Sequence, residues 1–105
     1  MRDDVTDDET DDVTPARIVE ALRDRDLLDL LDAVCRRRSV TREEVCGRGR
    51  TRNVARARHE LWWELRRNPG MSFGEIGRLF DRNHTTVMTG VRAFERALAG
   101  AAVAA

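Results

Sequence analysis

The sequence predicts an all-α fold, a small bundle of about five to six helices that contains a helix-turn-helix and a basic loop. Apolar residues recur at the three- and four-residue spacing of amphipathic helices, and helix-capping signatures precede several of these stretches. No stretch shows the strict apolar and polar alternation of a half-buried strand. With 105 residues, the chain is long enough for one domain with one modest core.

The charged residues are unevenly distributed, and their types exclude some functions. All 19 basic residues are Arg, so the lysine of a phosphate-binding P-loop and the lysine of a Schiff-base enzyme are both excluded. The formal net charge is zero, but residues 1–13 hold seven acids and one Arg, which leaves plus six on the remainder. So acidic a segment, with few apolar residues, is expected to be disordered, and residues 14–105 are expected to form the helical domain.

Neither a secretory leader nor a membrane span is predicted, since no apolar run is long enough for a span and the N-terminus is acidic. Cys35 and Cys46 are therefore expected to be reduced thiols in a cytoplasmic protein. The two cysteines and two histidines lack the spacing of metal ligands, so we expect no metal and no other cofactor.

The first helical segment, residues 14–38, begins with Thr14 as N-cap and Pro15 at the first helical position. Its apolar residues fit either one long helix or two short helices that break near residues 25–26. Arg36 to Arg38 mark its end, either as cations at a helix C-terminus or as contacts to DNA.

A capping box of Thr41 and Glu44 predicts a short third element that Gly47 ends. The loop that follows places Arg48 and Arg50 next to glycines, where a charge is useful if it reaches outward. The next helix, about Thr51 to Asn68, is expected to bury one face and to expose a basic one. The predicted inner residues are Val54, Ala57, Leu61 and Leu65, and the outer ones are Arg52, Arg56, His59, Trp63 and Arg66.

The two neighbouring tryptophans of this helix have different expected roles. Trp62 flanks the apolar face and is expected in the core. Trp63 lies with the arginines, where we expect it to pack on residues 14–38, with stacking on nucleic acid as the alternative.

Residues 72–98 predict the helix-turn-helix: a capping box of Ser72 and Glu75, a short helix, a polar turn and a longer helix. The predicted buried residues are Ile76, Leu79 and Phe80 in the short helix, and Val87, Val91, Phe94 and Leu98 in the long one. A second stripe lies half a turn away, in Thr85, Thr89, Arg92 and Arg96. Residues beyond Leu98 are expected to fray.

In a helix-turn-helix, the N-terminal turn of the second helix enters the major groove. Thr85 and Thr86 fit this position, because each offers a hydroxyl and a methyl group to base edges. The alternative is that Asn83 or Asp81 merely caps the helix and the threonines face solvent.

Two motifs, "GRGRTRNVARARHELWWEL" and "FGEIGRLFDRNHTTVMTGVRAFE", resemble the C-terminal DNA-binding domain (domain IV) of the bacterial replication initiator DnaA, a Trp-repressor-like helix-turn-helix. The resemblance extends over about Leu27 to Leu98. It implies that Arg50 enters the minor groove, that Arg58 contacts phosphate, and that the His-Thr-Thr helix start reads the major groove. The full candidate set for DNA binding is Arg48, Arg50, Arg52, Arg58, Asn83, His84, Thr85, Thr86, Thr89 and Arg92. Because the helical face count places Arg58 towards the core, Arg52 is the alternative phosphate contact.

This sequence departs from the family pattern at two points. Asn83 stands where the family has Asp, and the turn between Phe80 and His84 is one residue shorter. An Asp only accepts hydrogen bonds, whereas an Asn can pair bidentately with adenine. The family's base preference is therefore not transferred to this chain.

We expect a sequence-preferring protein that binds double-stranded DNA without an ATPase module and regulates transcription or replication at the nucleoid. A protein partner or self-association through the N-terminal helix is a further expectation. The alternative is a protein-interaction adaptor on the same fold, whose DNA binding is lost or is masked by the acidic tail. An enzyme is not expected, because the adjacent His84 and Thr85 cannot face each other across a substrate.

Overall fold

The computed structural model describes residues 15–104, with side chains as far as residue 101. Residues 1–13 and the expected cap Thr14 lie outside this range. The described residues form six helices and no strand, which confirms the predicted all-α bundle. The helices are α1 (Pro15–Asp24), α2 (Leu28–Arg38), α3 (Arg42–Cys46), α4 (Arg52–Arg67), α5 (Phe73–Phe80) and α6 (His84–Ala104).

Within these helices, none is both long enough and apolar enough to cross a membrane. The described residues also contain no group of three or more His, Cys, Asp and Glu side chains that could hold a metal ion.

Residues 15–38 form two helices rather than one. The break follows Leu22, whose carbonyl accepts hydrogen bonds from the backbone N–H of Arg25 at 3.2 Å and of Leu27 at 2.8 Å. Asp26 takes the left-handed conformation there, with a φ of 61°. This turn lets α2 fold back towards α1.

The arginines at the end of α2 attach this helix to α4. Arg37 and Arg38 both bind the carboxylate of Glu60, at 2.7 and 2.8 Å. Glu60 is buried, so its charge is stable inside the fold only because it is paired. These two arginines therefore have a structural partner, which neither of the sequence-based alternatives for the triple Arg had included.

Both predicted capping boxes are present, and they fix where α3 and α5 begin. Ser72 Oγ accepts the N–H of Glu75 at 3.0 Å, and Glu75 Oε1 accepts the N–H of Ser72 at 2.8 Å. These bonds hold the pKa of Glu75 below its usual value. The start of the helix-turn-helix is therefore set by local sequence.

The core lies where α4 packs against α2, α5 and α6, and the predicted inner face of α4 is buried. Trp62 is in the core as expected, with its ring edge against Phe80 at a centroid distance of 5.8 Å. Gly90 permits α6 to lie directly on α4, because a Cβ at this position would come within 2.6 Å of the His59 ring.

Two details of the predicted packing were wrong. Leu98 is 42% exposed, because α6 extends past its packing partners as far as Ala104. Leu79 is only half-buried, and Gly77 takes the buried position in α5. Trp63 packs on Phe94 of α6, at a centroid distance of 5.2 Å, and under the guanidinium of Arg67, two contacts that the helical pattern did not predict.

Candidate nucleic-acid interface

The basic loop (residues 47–51) and the turn before α6 (residues 81–83) lie side by side, although more than 30 residues separate them in the chain. Arg82 Nη2 donates to the carbonyl of Gly47 at 2.9 Å. Arg48 Nη2 donates to the carbonyl of Asp81 at 3.3 Å and to its carboxylate at 3.1 Å. The loop and the turn that leads into α6 are therefore in direct contact.

Nine of the ten candidate residues are exposed on the loop, on α4 or on α6. They are Arg48, Arg50, Arg52, Asn83, His84, Thr85, Thr86, Thr89 and Arg92. Arg50 has no hydrogen-bond or ion-pair partner in the part of the chain that the structure describes, whereas Arg48 is paired with Asp81. Arg50 is thus the guanidinium of the loop that is available to a ligand.

Arg58 is buried, and this corrects the expected phosphate contact. Its side chain is 6% exposed, and all three of its nitrogens donate to backbone carbonyls. The acceptors are Val45 at 2.8 Å, Gly49 at 3.1 Å and Glu44 at 2.9 Å. Burial lowers the pKa of Arg58, yet an arginine remains protonated in proteins.

The role of Arg58 is therefore structural: it attaches the end of α3 and the basic loop to α4. The last carbonyls of a helix have no partner within that helix, and Glu44 and Val45 belong to the end of α3. The Arg58 guanidinium donates to both of them and to a loop carbonyl, and the Glu44 carbonyl also accepts the N–H of Gly47 at 3.3 Å. The helical face count predicted that Arg58 lies on the inner side of α4. It could not predict the backbone carbonyls that accept its hydrogen bonds.

Arg52 and Arg56 are the exposed arginines at the beginning of α4. They are one turn apart, and both line a hollow with His59 and Phe94 between α4 and α6. Burial and the neighbouring Arg58 and Arg56 lower the pKa of His59. The positive charge on this side therefore comes from the arginines and not from the histidine. Arg56 was missing from the candidate set, although its i, i+4 spacing from Arg52 was a signal for it.

Asn83 caps α6 with its side chain. Its Oδ1 accepts the backbone N–H of Thr85 at 2.9 Å and the hydroxyl of Thr85 at 2.7 Å. Bidentate pairing with adenine needs both the oxygen and the nitrogen of an Asn amide. Because the oxygen already accepts two hydrogen bonds, the Asn83 side chain has its Nδ2 donor left to offer.

The hydrogen bond from the Thr85 hydroxyl to Asn83 determines whether this hydroxyl offers a donor or an acceptor to a ligand. The hydroxyl hydrogen points to Asn83, so the outward side of the oxygen offers lone pairs. His84, Thr86 and Thr89 complete the exposed first turns of the helix. The N-terminus of a helix also favours an anion, because its free N–H groups and dipole are positive there.

Comparison with known proteins identifies relatives of this chain. A family model described as the bacterial DnaA protein helix-turn-helix matches residues 28–93. The chain is 38% identical over 96 residues to the chromosomal replication initiator protein DnaA of Thermomicrobium roseum, a match that covers 82% of this chain and 21% of that protein. It is 36% identical over 63 residues to the DnaA of Mycoplasma pneumoniae, with 60% of this chain and 14% of that protein covered.

A third relative, the DnaA of Roseiflexus castenholzii, is 45% identical over 53 residues, which cover 50% of this chain and 11% of that protein. This chain thus spans about a fifth or less of the length of these three curated relatives. No solved structure gives a significant match.

Replacing Arg58 by Ala is expected to destabilise the fold by about 2–4 kcal/mol, because the buried carbonyl of Val45 and the part-buried carbonyl of Gly49 lose their donor. Urea denaturation of the two proteins measures this difference. Arg56→Ala, an exposed arginine of the same helix, is the matched control and should change stability by no more than about 0.5 kcal/mol. Equal stability of the two variants would contradict the structural role of Arg58.

Proposed function

Because the chain belongs to the bacterial DnaA helix-turn-helix family, we propose that it binds double-stranded DNA with a sequence preference. The observation that supports this most strongly is the direct contact between the basic loop and the turn that leads into α6. The loop carries the exposed and unpaired Arg50, and α6 begins with exposed, short polar side chains.

The proposed minor-groove contact is Arg50. A narrow minor groove concentrates negative potential and favours an inserted guanidinium. Arg50 is exposed and follows Gly49, which has no Cβ to obstruct close approach of the loop to a duplex.

The proposed major-groove element is the N-terminal part of α6, with Asn83, His84, Thr85 and Thr86 at the base edges and Thr89 one turn further along. The short side chains let the helix backbone approach the bases. Arg52 and Arg92 are proposed to contact flanking phosphates, since both are exposed on the helices that border this surface. Arg52 takes the role first expected of Arg58.

We propose that these residues act as a binding module without an ATPase of their own, and that they regulate replication or transcription by occupying a site on DNA. A module that only binds can compete for sites or recruit another protein to them. The place of action would be the nucleoid in the cytoplasm.

A second candidate function is a protein-interaction adaptor whose DNA binding is masked by the acidic residues 1–13. One observation favours masking: Pro15 lies beside Gly47, with its Cγ 3.8 Å from where a Cβ of residue 47 would be. The acidic segment therefore joins the fold next to the basic loop, and its charge of minus six is opposite to that of the arginines.

Arg50→Ala is expected to weaken duplex binding by about 1–3 kcal/mol, because it removes the unpaired guanidinium of the loop. Titration of a labelled duplex at several salt concentrations measures the loss. Binding should also weaken steeply with added salt, as counterions are released from the phosphates. Arg23→Ala on α1 is the control, since it removes a charge elsewhere, and equal affinities for the two variants would reject the assignment of Arg50.

Asn83→Asp is expected to change the preferred base at one position of the site. The outward donor of Asn83 favours an acceptor on the base edge, such as guanine O6 or N7, whereas a carboxylate favours the amino group of cytosine, with about 1–3 kcal/mol between them. Selection of bound duplexes from a random pool, for the parent and the variant, measures the change. Arg92→Ala, at a proposed phosphate contact, should lower affinity without altering the selected base, and an unchanged site in Asn83→Asp would contradict the role proposed for Asn83.

Deletion of residues 1–13 is expected to strengthen duplex binding if this segment masks the interface, because a competing charge of minus six is removed. The same titration compares the deletion variant with the full chain. A variant with Asp7, Asp8 and Asp11 replaced by Asn keeps the length and should reproduce part of the gain. If DNA binding is lost in the adaptor rather than masked, neither the deletion variant nor the full chain binds a duplex even at low salt.

A further inference from the structure

Two hydrogen-bonded contacts join the basic loop to the turn before α6, and they use arginines that a DNA-contact role alone does not explain. Arg82 reaches the carbonyl of Gly47, and Arg48 reaches Asp81. We propose that Arg48 and Arg82 are positioning residues, which set the distance between the loop and α6 so that Arg50 and the helix start meet adjacent grooves of one duplex. This inference rests on the proposed function and adds to it the device that aligns its two parts.

Arg82 is the stronger of the two contacts because it is half-buried. Its guanidinium lies against the protein, where burial and the nearby Arg48 and Arg58 lower its pKa. A hydrogen bond from a charged donor to a carbonyl is strong in such surroundings. Arg82 therefore points back to the start of the loop and is not oriented for a phosphate.

The backbone of the turn is also fixed against α5. The N–H of Arg82 donates to the carbonyl of Gly77 at 2.7 Å, and a Cβ at residue 77 would come within 2.5 Å of the Arg82 carbonyl oxygen. Gly77 is thus required for this close approach. Arg82 is held by its backbone on α5 and holds the loop with its side chain.

The pair of Arg48 and Asp81 is the second contact. Asp81 ends α5 in the left-handed conformation, with a φ of 56°. In this position its carbonyl and carboxylate both accept from Arg48. The pair is exposed and contributes little stability by itself, so its effect is mainly on where the loop lies.

Burial lowers the pKa of Arg58 and of Arg82, and the charge of Arg48 lowers both further, so these arginines repel one another. A cluster of like charges is a costly way to hold a loop. The negative charge of an approaching phosphate backbone would lower this electrostatic repulsion.

The test is whether the contribution of Arg50 to binding depends on Arg82. In the parent, Arg50→Ala is expected to weaken duplex binding about tenfold or more. In an Arg82→Met background, the same change is expected to weaken it less than threefold, because the loop no longer holds Arg50 over the groove. Thr85→Ala should cause the same fold-loss in both backgrounds, since α6 keeps its place.

Arg78→Met is the matched control, because Arg78 is an exposed arginine of the same helix-turn-helix. In that background, the loss from Arg50→Ala should stay at its parental value. If Arg82→Met does not fold, as judged by circular dichroism, Arg48→Met takes its place, because it removes both hydrogen bonds from Arg48 to Asp81. Methionine is a flexible, unbranched side chain without a donor.

A measurement without DNA checks the same contact. The backbone amides of Arg48, Gly49 and Arg50 should become more mobile in Arg82→Met by heteronuclear NOE, and should be unchanged in Arg78→Met. An unchanged NOE, or an equal loss from Arg50→Ala in both backgrounds, would overturn the inference while duplex binding by the parent persists. Failure of the parent to bind any duplex would instead overturn the proposed function together with this alignment.

Discussion

Hydrogen bonds from arginine side chains to backbone carbonyls are the interactions on which the candidate interface depends. The α3 helix has five residues and leads into a loop without regular structure, so this stretch has carbonyls with no helical partner. Arg58 and Arg82 donate to four of them. Without these donors, the position of Arg50 relative to α6 would be set by a flexible, glycine-containing chain.

The arginines of this protein divide into two groups that composition cannot separate. Some have partners in the fold: Arg37 and Arg38 bind Glu60, Arg42 binds Asp32 through two hydrogen bonds, and Arg58 and Arg82 bind carbonyls. The bond from Arg42 holds the pKa of Asp32 below its usual value. Arg50, Arg52, Arg56 and Arg92 are exposed instead, and they give the loop, α4 and α6 their positive surface.

Local patterns in the sequence predicted the helices and where they begin. They could not predict contacts between segments that are distant in the chain. The capping boxes at Thr41 and Ser72 lie within four residues and have a fixed signature, so they could be read directly. The hydrogen bond from Arg82 to Gly47 spans 35 residues and leaves no periodicity to detect. The contact of Trp63 with Phe94 depends on how α6 crosses α4. The exposure of Leu98 depends on where α6 extends beyond α4. The helix-turn-helix pattern predicted Thr85 and Thr86 as site residues, and the family resemblance added the roles of Arg50 and Arg58. The structure added which atoms of the site residues already have partners.

In the proposed complex, the basic loop and the start of α6, held as one unit, occupy adjacent grooves of one duplex. Methylation footprinting with dimethyl sulfate tests it directly, because the reagent attacks guanine N7 in the major groove and adenine N3 in the minor groove. The account predicts protection in both grooves within roughly one helical turn, about 10 base pairs, and loss of only the minor-groove protection in Arg50→Ala. Protection confined to one groove, or equal loss of both in that variant, would contradict it.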